Sequence, residues 1–484
     1  MPDTEANLVF TRRNPEYIAN ESLWKRLNLA YSGGETYIKK ALIRHLSELV
    51  LEFEERQDRA YYFNYVRRIP TRITEFILAQ NPVRAGADEE IVADFDRYGN
   101  RVNSVMRQWE ILTLLYGSSW MLVDSPPTEL DEDGAPLKKD ISQKKSEKLR
   151  PYGMALSPLC VTDWSYGKDG ELDWVIVAST ERVASDPYTE PELTNLRTLW
   201  TREYWQVFKQ LDKQTAISVG DQVPHSLGAV PLIRRLKVET TAMDSKHWME
   251  DVLRISDAIL NNESECQINI VKQVFGLLVI PESFTQKQAD IQPQSGTDVI
   301  NKGETWGKAL SRSFAVTEDE AENGITRYIS PDGIITAAIE SSNDRLKREL
   351  YDIIGLAVRD QTTQRESAES KAWDNQAVSA FLQTEADSLE EAEIKTWEMF
   401  NKWDSSIAVP EVNYNRDFNV QEFQASMLAI TEILGMGVGE KFQKRAMQTA
   451  LGLLDRIEKI SPEDKAEIKK EIETLTLGST IPME

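Results

Sequence analysis

Apolar positions recur at helical intervals through the middle of the chain, from Met243 to Trp403. Trp248, Val252, Ile255, Ile259, Cys266, Ile270 and Val274 step by three, four or seven and share one helical stripe. A second helix is expected after the turn Ser330-Pro331-Asp332-Gly333, with Ile339, Leu346, Leu350, Ile353 and Ala357 on its apolar side. The insert between them carries Pro281, Pro293, Gly296, Gly303 and Gly307 and reads as strands and turns. Arg359 to Lys371, RDQTTQRESAESK, is polar with no apolar anchor and reads as a loop. A longer helix then begins near Ala372, with Trp373, Ala377, Phe381, Leu389, Trp397 and Phe400 marking its buried side.

Upstream, Glu16 to Ala79 is mostly helical in pattern. Asn20-Glu21-Ser22 is placed to cap a helix from Leu23, and Gly33-Gly34 breaks it. Leu46, Leu49, Phe53, Tyr61, Tyr65 and Ile69 follow at helical spacing, and Pro70 interrupts. Val102 to Leu115 reads as a helix leading into a short strand, Trp120 to Val123. Ser125 to Arg150 is charged and Pro-containing, an exposed loop. From Tyr152 to Lys237 the period becomes two, with Tyr204 to Phe208 and Ala216 to Val219 flanking a hairpin turn. Val409 to Phe418 reads as a strand returning to that sheet. Helices are expected at Phe423 to Leu434, Lys441 to Ile460 and Pro462 to Leu475, the last with Ser461 as cap and Pro462 at its first position. The fold class is α+β, mainly helical.

Length and charge narrow the picture. At 484 residues the chain exceeds one ordinary core and implies several subdomains. No apolar run approaches the roughly 20 residues that span a bilayer, and the polar start MPDTEANLVFTRRN has no signal-peptide core, so a cytoplasm-like compartment is expected. Cys160 and Cys266 are too few and too far apart for a disulfide framework and are expected to be buried. The net charge of −23 excludes wrapping of duplex DNA by general phosphate neutralisation. It is compatible with surrounding DNA without gripping it, or with solubility alone. The most basic stretch, Arg56 to Arg68, interleaves arginine with aromatics. It could contact nucleic acid by stacking and phosphate pairing. Its helical spacing favours a face between subunits, with aromatics inside and arginines paired to acids.

Candidate chemistry is sparse. His45, His225 and His247 lie in different elements with no ligand companion at usable spacing. HExxH, CxxC, GxGxxG and GxSxG are absent. Gly303 to Ala309 has one residue too few for a phosphate loop and Ala309 where a magnesium-binding hydroxyl belongs. No catalytic residue, cofactor site or metal site is assigned, and an enzyme is not expected. An acidic-site hydrolase whose carboxylates converge from distant positions is a minor alternative.

The order of parts resembles that of tailed-bacteriophage portal proteins. The resemblance runs from about Trp24 to Trp403: an Arg-rich aromatic helix, the YGSSWMLVD stretch Tyr116 to Asp124, a β-rich region with Asp163-Trp164 and Asp173-Trp174-Val175 closing at Gly228 to Pro231, a long helix ending in the apolar strand Gly276 to Ile280, and Ser367-Ala368-Glu369-Ser370-Lys371-Ala372 before the longest helix. That last stretch is similar to a Ser-Ala-x-Ser-Gly-x-Ala signature of one portal group, with Lys371 where the glycine stands.

The resemblance implies a wing from residues 1–241, a first stem helix 242–274, a clip 275–333, a second stem helix 334–358, a tunnel loop 359–371, a long wing helix with a returning strand 372–420, and crown helices 421–484. It implies a homo-oligomeric ring of about twelve copies at one capsid vertex of the virion. Double-stranded DNA would pass through the channel. Terminase, then adaptor or head-completion proteins, would dock, and major capsid and scaffolding proteins would surround the ring. Another ring-forming structural or scaffold protein is the alternative. In the expected tunnel loop, Arg359, Arg365 and Lys371 balance Asp360, Glu366 and Glu369, making it the most phosphate-tolerant part of an acidic channel. The acidic run Glu318, Asp319, Glu320 and Glu322 would offer a docking surface to basic partner segments.

Overall fold

The computed structural model describes residues 4–46, 48–126, 150–183, 188, 190–211, 215–237, 248–274, 277–281, 315–318, 327–329, 334–353, 368–416, 418, 440–457 and 462–474. It is a mixed fold of helix and sheet, with more helix than strand.

The N-terminal layer is helical: α1 (Thr4–Thr11), α2 (Pro15–Ser32), α3 (Gly34–Ala41), α4 (Val50–Arg59) and α5 (Tyr65–Ile77). Helix α2 starts eight residues before the expected Leu23. Asn14 caps it by accepting a 3.0 Å hydrogen bond from the Glu16 amide, and Pro15 occupies the first turn. That cap leaves Asn20-Glu21-Ser22 inside the helix. Gly33, at φ 67°, ends it where the sequence placed a break. Pro70 does not interrupt α5. One lost hydrogen bond is offset by the burial of Val66, Ile69, Ile73 and Ile77 on the same face. The expected run of apolar positions from Leu46 to Ile69 is broken instead at residues 60–64, which are in neither helix nor strand, and Leu46, Leu49 and Tyr61 face solvent.

The strand β1 (Val83–Ala85), the short helix α6 (Glu89–Ala93) and α7 (Val102–Tyr116) lead into the sheets. Gly117, left-handed at φ 74°, caps α7 and donates to the Thr113 carbonyl at 2.8 Å. Strand β2 (Ser118–Asp124) then runs through the core between β3 (Tyr152–Leu156) and β9 (Leu232–Leu236), antiparallel to both. A separate five-stranded antiparallel meander has the order β4 (Val161–Tyr166), β5 (Leu172–Val183), β6 (Glu192–Thr201), β7 (Tyr204–Gln210), β8 (Ala216–Pro224). The hairpin expected around residues 204–219 is the β7–β8 pair. Helix α1 covers this sheet, packing Ala6, Val9 and Phe10 on Phe208, Ala216 and Leu199.

Three long helices follow: α8 (Trp248–Val274), α9 (Ile334–Ile353) and α10 (Ala368–Trp403). Between α8 and α9 in sequence lie β10 (Leu277–Pro281), β11 (Ala315–Glu318) and β12 (Arg327–Ile329), with β10 central, parallel to β11 and antiparallel to β12. Helix α10 begins at Ala368, four residues before the expected Ala372. Ala368, Glu369, Lys371 and Ala372 are good helix formers, and no glycine stops the helix there. Lys371 is therefore in its first turn rather than in a loop. Strand β13 (Glu411–Asn413) pairs antiparallel with β1, not with the β-rich region as expected. The last described elements are α11 (Glu440–Ile457) and α12 (Pro462–Thr474), joined by a Lys444 Nζ bond to the Glu473 carbonyl at 2.9 Å.

One apolar core runs through α2, α3, α5, α7, β2, α8 and α10. Cys266 is buried in α8, whereas Cys160 is only half-buried, and both are free thiols. His225 sits between Trp200 of β6 and Trp403 at the end of α10, 6.2 and 6.0 Å from their ring centres. Its Nε2 contacts the Thr201 carbonyl at 3.1 Å, so Nε2 carries the proton of the neutral ring. Burial lowers its pKa below the ordinary 6.5. In the window between that lowered value and 6.5 the unfolded chain binds the proton more readily. Stability should therefore rise with pH through this window and be lost as pH falls below 6.5. Thermal unfolding of the wild type and of His225→Phe between about pH 5 and 7.5 should show that slope in the wild type and a flatter profile in the variant.

Candidate functional site

The feature with the most unusual geometry is the hairpin of α8 and α9 together with its attachment to the body. At 1.5 Å per residue, α8 is roughly 40 Å long and α9 roughly 30 Å. The helices are antiparallel, and polar side chains set their register. Asn343, fully buried on α9, accepts from Asn262 Nδ2 at 2.9 Å and donates to Glu263 Oε1 at 2.7 Å. Nearer the β10 end, Gln273 Nε2 donates to Thr336 Oγ1 at 3.2 Å. A buried amide bonded on both sides fixes register in a way that an apolar stripe alone does not.

The two ends of α8 differ. Its first half buries Met249, Val252, Leu253, Ile259 and Leu260 in the main core, against the N-terminal helices and α7. Asp257 receives bonds from Arg26 of α2 and from the Tyr37 hydroxyl of α3. Burial raises both the Asp257 carboxyl and the Tyr37 phenol above their ordinary pKa ranges. The last two turns of α8 leave the core. Ile270 and Val274, on the expected apolar stripe, are exposed, as are Ile334 and Ile335 at the adjoining start of α9. The hairpin thus stands out from the body at the end that leads into β10 and β12.

Helix α10 is fixed by two sets of buried charges. Glu393, fully buried, accepts from Arg84 Nη2 at 2.9 Å, from Trp397 Nε1 at 3.1 Å and from the Tyr414 hydroxyl at 2.6 Å. Arg84 precedes α6 in the strand β1, and Tyr414 directly follows β13, so one carboxylate joins α10 to both strands of that ribbon. Further along the same helix, Trp397 and Phe400 pack edge-on against Phe95, at 6.3 and 5.2 Å between ring centres. The second set is Arg235 of β9, which pairs with Glu110 of α7 and reaches Glu385 of α10 at 3.4 Å. Burial holds the Glu110 carboxyl above its ordinary range against the pull of Arg235. Lys237 adds its ammonium over the Trp248 and Phe381 rings, at 5.2 and 5.6 Å.

The sequence-expected site residues are only partly within view. Arg359, Arg365, Asp319, Glu320 and Glu322 lie outside the described residues. Glu318 is the last residue of β11, and Lys371 belongs to α10. The two described ones thus fall on different elements. In the Arg56 to Arg68 stretch, expected as a face between subunits, Arg56 is paired to an acid of its own chain. It is buried, bonded to Glu48 at 2.8 and 2.9 Å and to Ser264 of α8 at 2.8 Å. Tyr62 and Tyr65 are also buried, while Arg59, Arg67 and Arg68 face solvent. The residues that sequence reasoning did not find are Arg84, Glu110, Arg235, Glu385 and Glu393, all buried charges. Among the described residues no group of three or more His, Cys, Asp or Glu side chains is placed to hold a metal. No helix among them is long and apolar enough to cross a membrane.

No family model matches the chain, and no curated protein matches it. Among solved structures it is similar to a chain described as the neck of a native GTA particle computed with C12 symmetry. The TM-score is 0.40 at 9% identity, over 79% of this chain and 89% of that one. A likeness of that degree carries no argument about fold or role.

Removing one partner of a buried ion pair leaves the other charge without compensation. Arg84→Met and Glu393→Ala should each cost about 3 kcal/mol or more. The pair Arg84→Met with Glu393→Ala should be milder than the two single changes added, because no lone buried charge remains. Chemical unfolding followed by circular dichroism would read this, and simple additivity would refute the pairing.

Proposed function

We propose that the chain is the subunit of a tailed-bacteriophage portal, a ring through which double-stranded DNA enters and leaves the capsid. The observation that supports this reading is the path of the chain from α8 to α10. A helix leaves the body, a small sheet is built at its far end, a second helix runs back along it, and a third, longer helix is locked into the body by buried charges. In a closed ring this hairpin would be the stem, the β10–β12 sheet would belong to the clip, and the body with α10 would form the wing. The polar seam at Asn343 suits a stem whose apolar surface is reserved for neighbours. The role is structural and mechanical, with terminase and then head-completion proteins as successive partners.

Images of the purified full-length protein across salt and protein concentration test the reading. Closed rings with a central hole are expected. Compact monomers or dimers under every condition would contradict it.

The residues between α9 and α10 would then face the channel. Arg359 and Arg365 there, with Lys371 in the first turn of α10, would touch the phosphate backbone weakly, repeated around the ring and without reading sequence. Changing Arg365 and Lys371 to Ala should leave rings and empty capsids intact. It should reduce genome retention, more so at high salt. Full retention at every salt concentration would leave the segment as a hinge with no contact to DNA.

A further inference from the structure

Two arginines at the junction of α1, α2 and β6 meet no acid among the described residues. The acids of this region are taken by other cations. Asp163 pairs with Arg12 at 3.0 Å, Glu21 with Lys25 at 2.7 Å, and Glu16 with Arg234. Arg13 and Arg197 share an anchor instead, Phe10. Arg13 Nη1 donates to the Phe10 carbonyl at 2.8 Å, and the Arg197 guanidinium lies over the Phe10 ring, 5.1 Å from its centre. Arg197 Nη1 also donates to the Leu196 carbonyl at 3.0 Å. Its Nε is closed off from water and has no acceptor. Stacking on a ring serves the flat face of a guanidinium and leaves its N–H edge without a partner.

The arrangement is unfavourable for the chain alone. A buried donor without an acceptor gives up its water and gains nothing in return. Burial and then the Arg13 charge lower the Arg197 pKa below its ordinary value. The groups that act in the opposite sense are the Tyr17 phenol and the Cys160 thiol, and no carboxylate is among them. Acid is not scarce in a chain with 79 Asp and Glu against 56 Lys and Arg. A pair of arginines left without acid in such a chain suits a negative group that arrives from outside.

We infer that Arg13 and Arg197, held together by Phe10, form a binding site for a phosphate group. Two guanidiniums offer two positive charges and several N–H donors, which match the charge and the oxygens of phosphate better than those of a single carboxylate. Aromatic rings back both cations, Phe10 beneath Arg197 and Tyr17 beneath Arg13 at 5.9 Å. The site lies at a junction within one chain, so it is independent of the portal reading.

The test uses the full-length chain with inorganic phosphate as the probe, read by phosphorus NMR and by thermal unfolding at fixed ionic strength. The wild type should bind phosphate saturably, and its Tm should rise with phosphate concentration. Arg197→Met should weaken binding ~10-fold or more. Arg13→Gln, which leaves the Phe10–Arg197 stack in place, should weaken it as well. A second readout separates binding from packing. Without phosphate, Arg197→Met should unfold at the same Tm as the wild type or higher, because a like-charge contact and a buried donor without a partner are gone. With phosphate, the wild type should be the more stable, so the order of the two reverses. A variant less stable by the same amount in both buffers would overturn the inference and leave Arg197 as a packing residue. A wild type that binds no phosphate, stabilisation by chloride equal to that by phosphate, or unchanged affinity in both variants would also overturn it. Acetate should bind ~10-fold or more weakly than phosphate. Equal affinity would assign the site to a carboxylate and overturn the choice of phosphate.

Discussion

The architecture depends on carboxylates buried on α10. Glu385 and Glu393 lie two turns apart on one side of that helix, and each meets an arginine from a distant segment, Arg235 and Arg84. Charges withdrawn from water are tolerated only when paired and hydrogen-bonded. These requirements leave α10 few places to lie. It must run between β9 with α7 on one side and the β1–β13 ribbon on the other. The aromatic contact of Trp397 and Phe400 with Phe95, and the bond from Trp403 Nε1 to the Val123 carbonyl at 3.0 Å, then settle its far end. The consequence is rigidity: a helix held this way cannot slide by a turn without stranding several charges.

Against that fixed helix the α8–α9 hairpin is a projection. Its first half shares the core, and its register comes from Asn343 and Gln273. Its outer end exposes Ile270, Val274, Ile334 and Ile335. A single chain gains nothing from this exposure, since apolar surface left in water forgoes about 25 cal/mol per Å2. The same is true of the turn from Ile43 to Leu51.

Much of this fold was legible in the sequence because it is local. The helical stripes of α8, α9 and α10 and the two-residue period from Tyr152 to Lys237 depend on neighbours in sequence, and each is found as an element of the expected type. The cap at Asn14-Pro15 was also a local signal, but the serine at position 22 offered a competing one. Other features were not legible because they are non-local. Glu110, Arg235 and Glu385 are drawn together from three well-separated segments, and a lone charge on a helix reads as a solvated face. The outward leucines at 46 and 49 fit an apolar stripe, and only Arg56 occupying the interior beneath them shows that they face outward. The strand at Glu411–Asn413 was correctly placed in sequence but assigned to the wrong sheet, since a three-residue strand carries no signal of its partner.

The central claim is that buried charge fixes α10 to the body while the outer hairpin stands free of it. Hydrogen exchange on the full-length protein, held dilute enough to suppress association, tests it most directly. Amides from Glu385 to Phe400 should exchange as slowly as those of β2 from Trp120 to Val123. Those from Gln267 to Val274 should exchange much faster. Exchange of α10 as rapid as that of the hairpin's outer end would contradict the account.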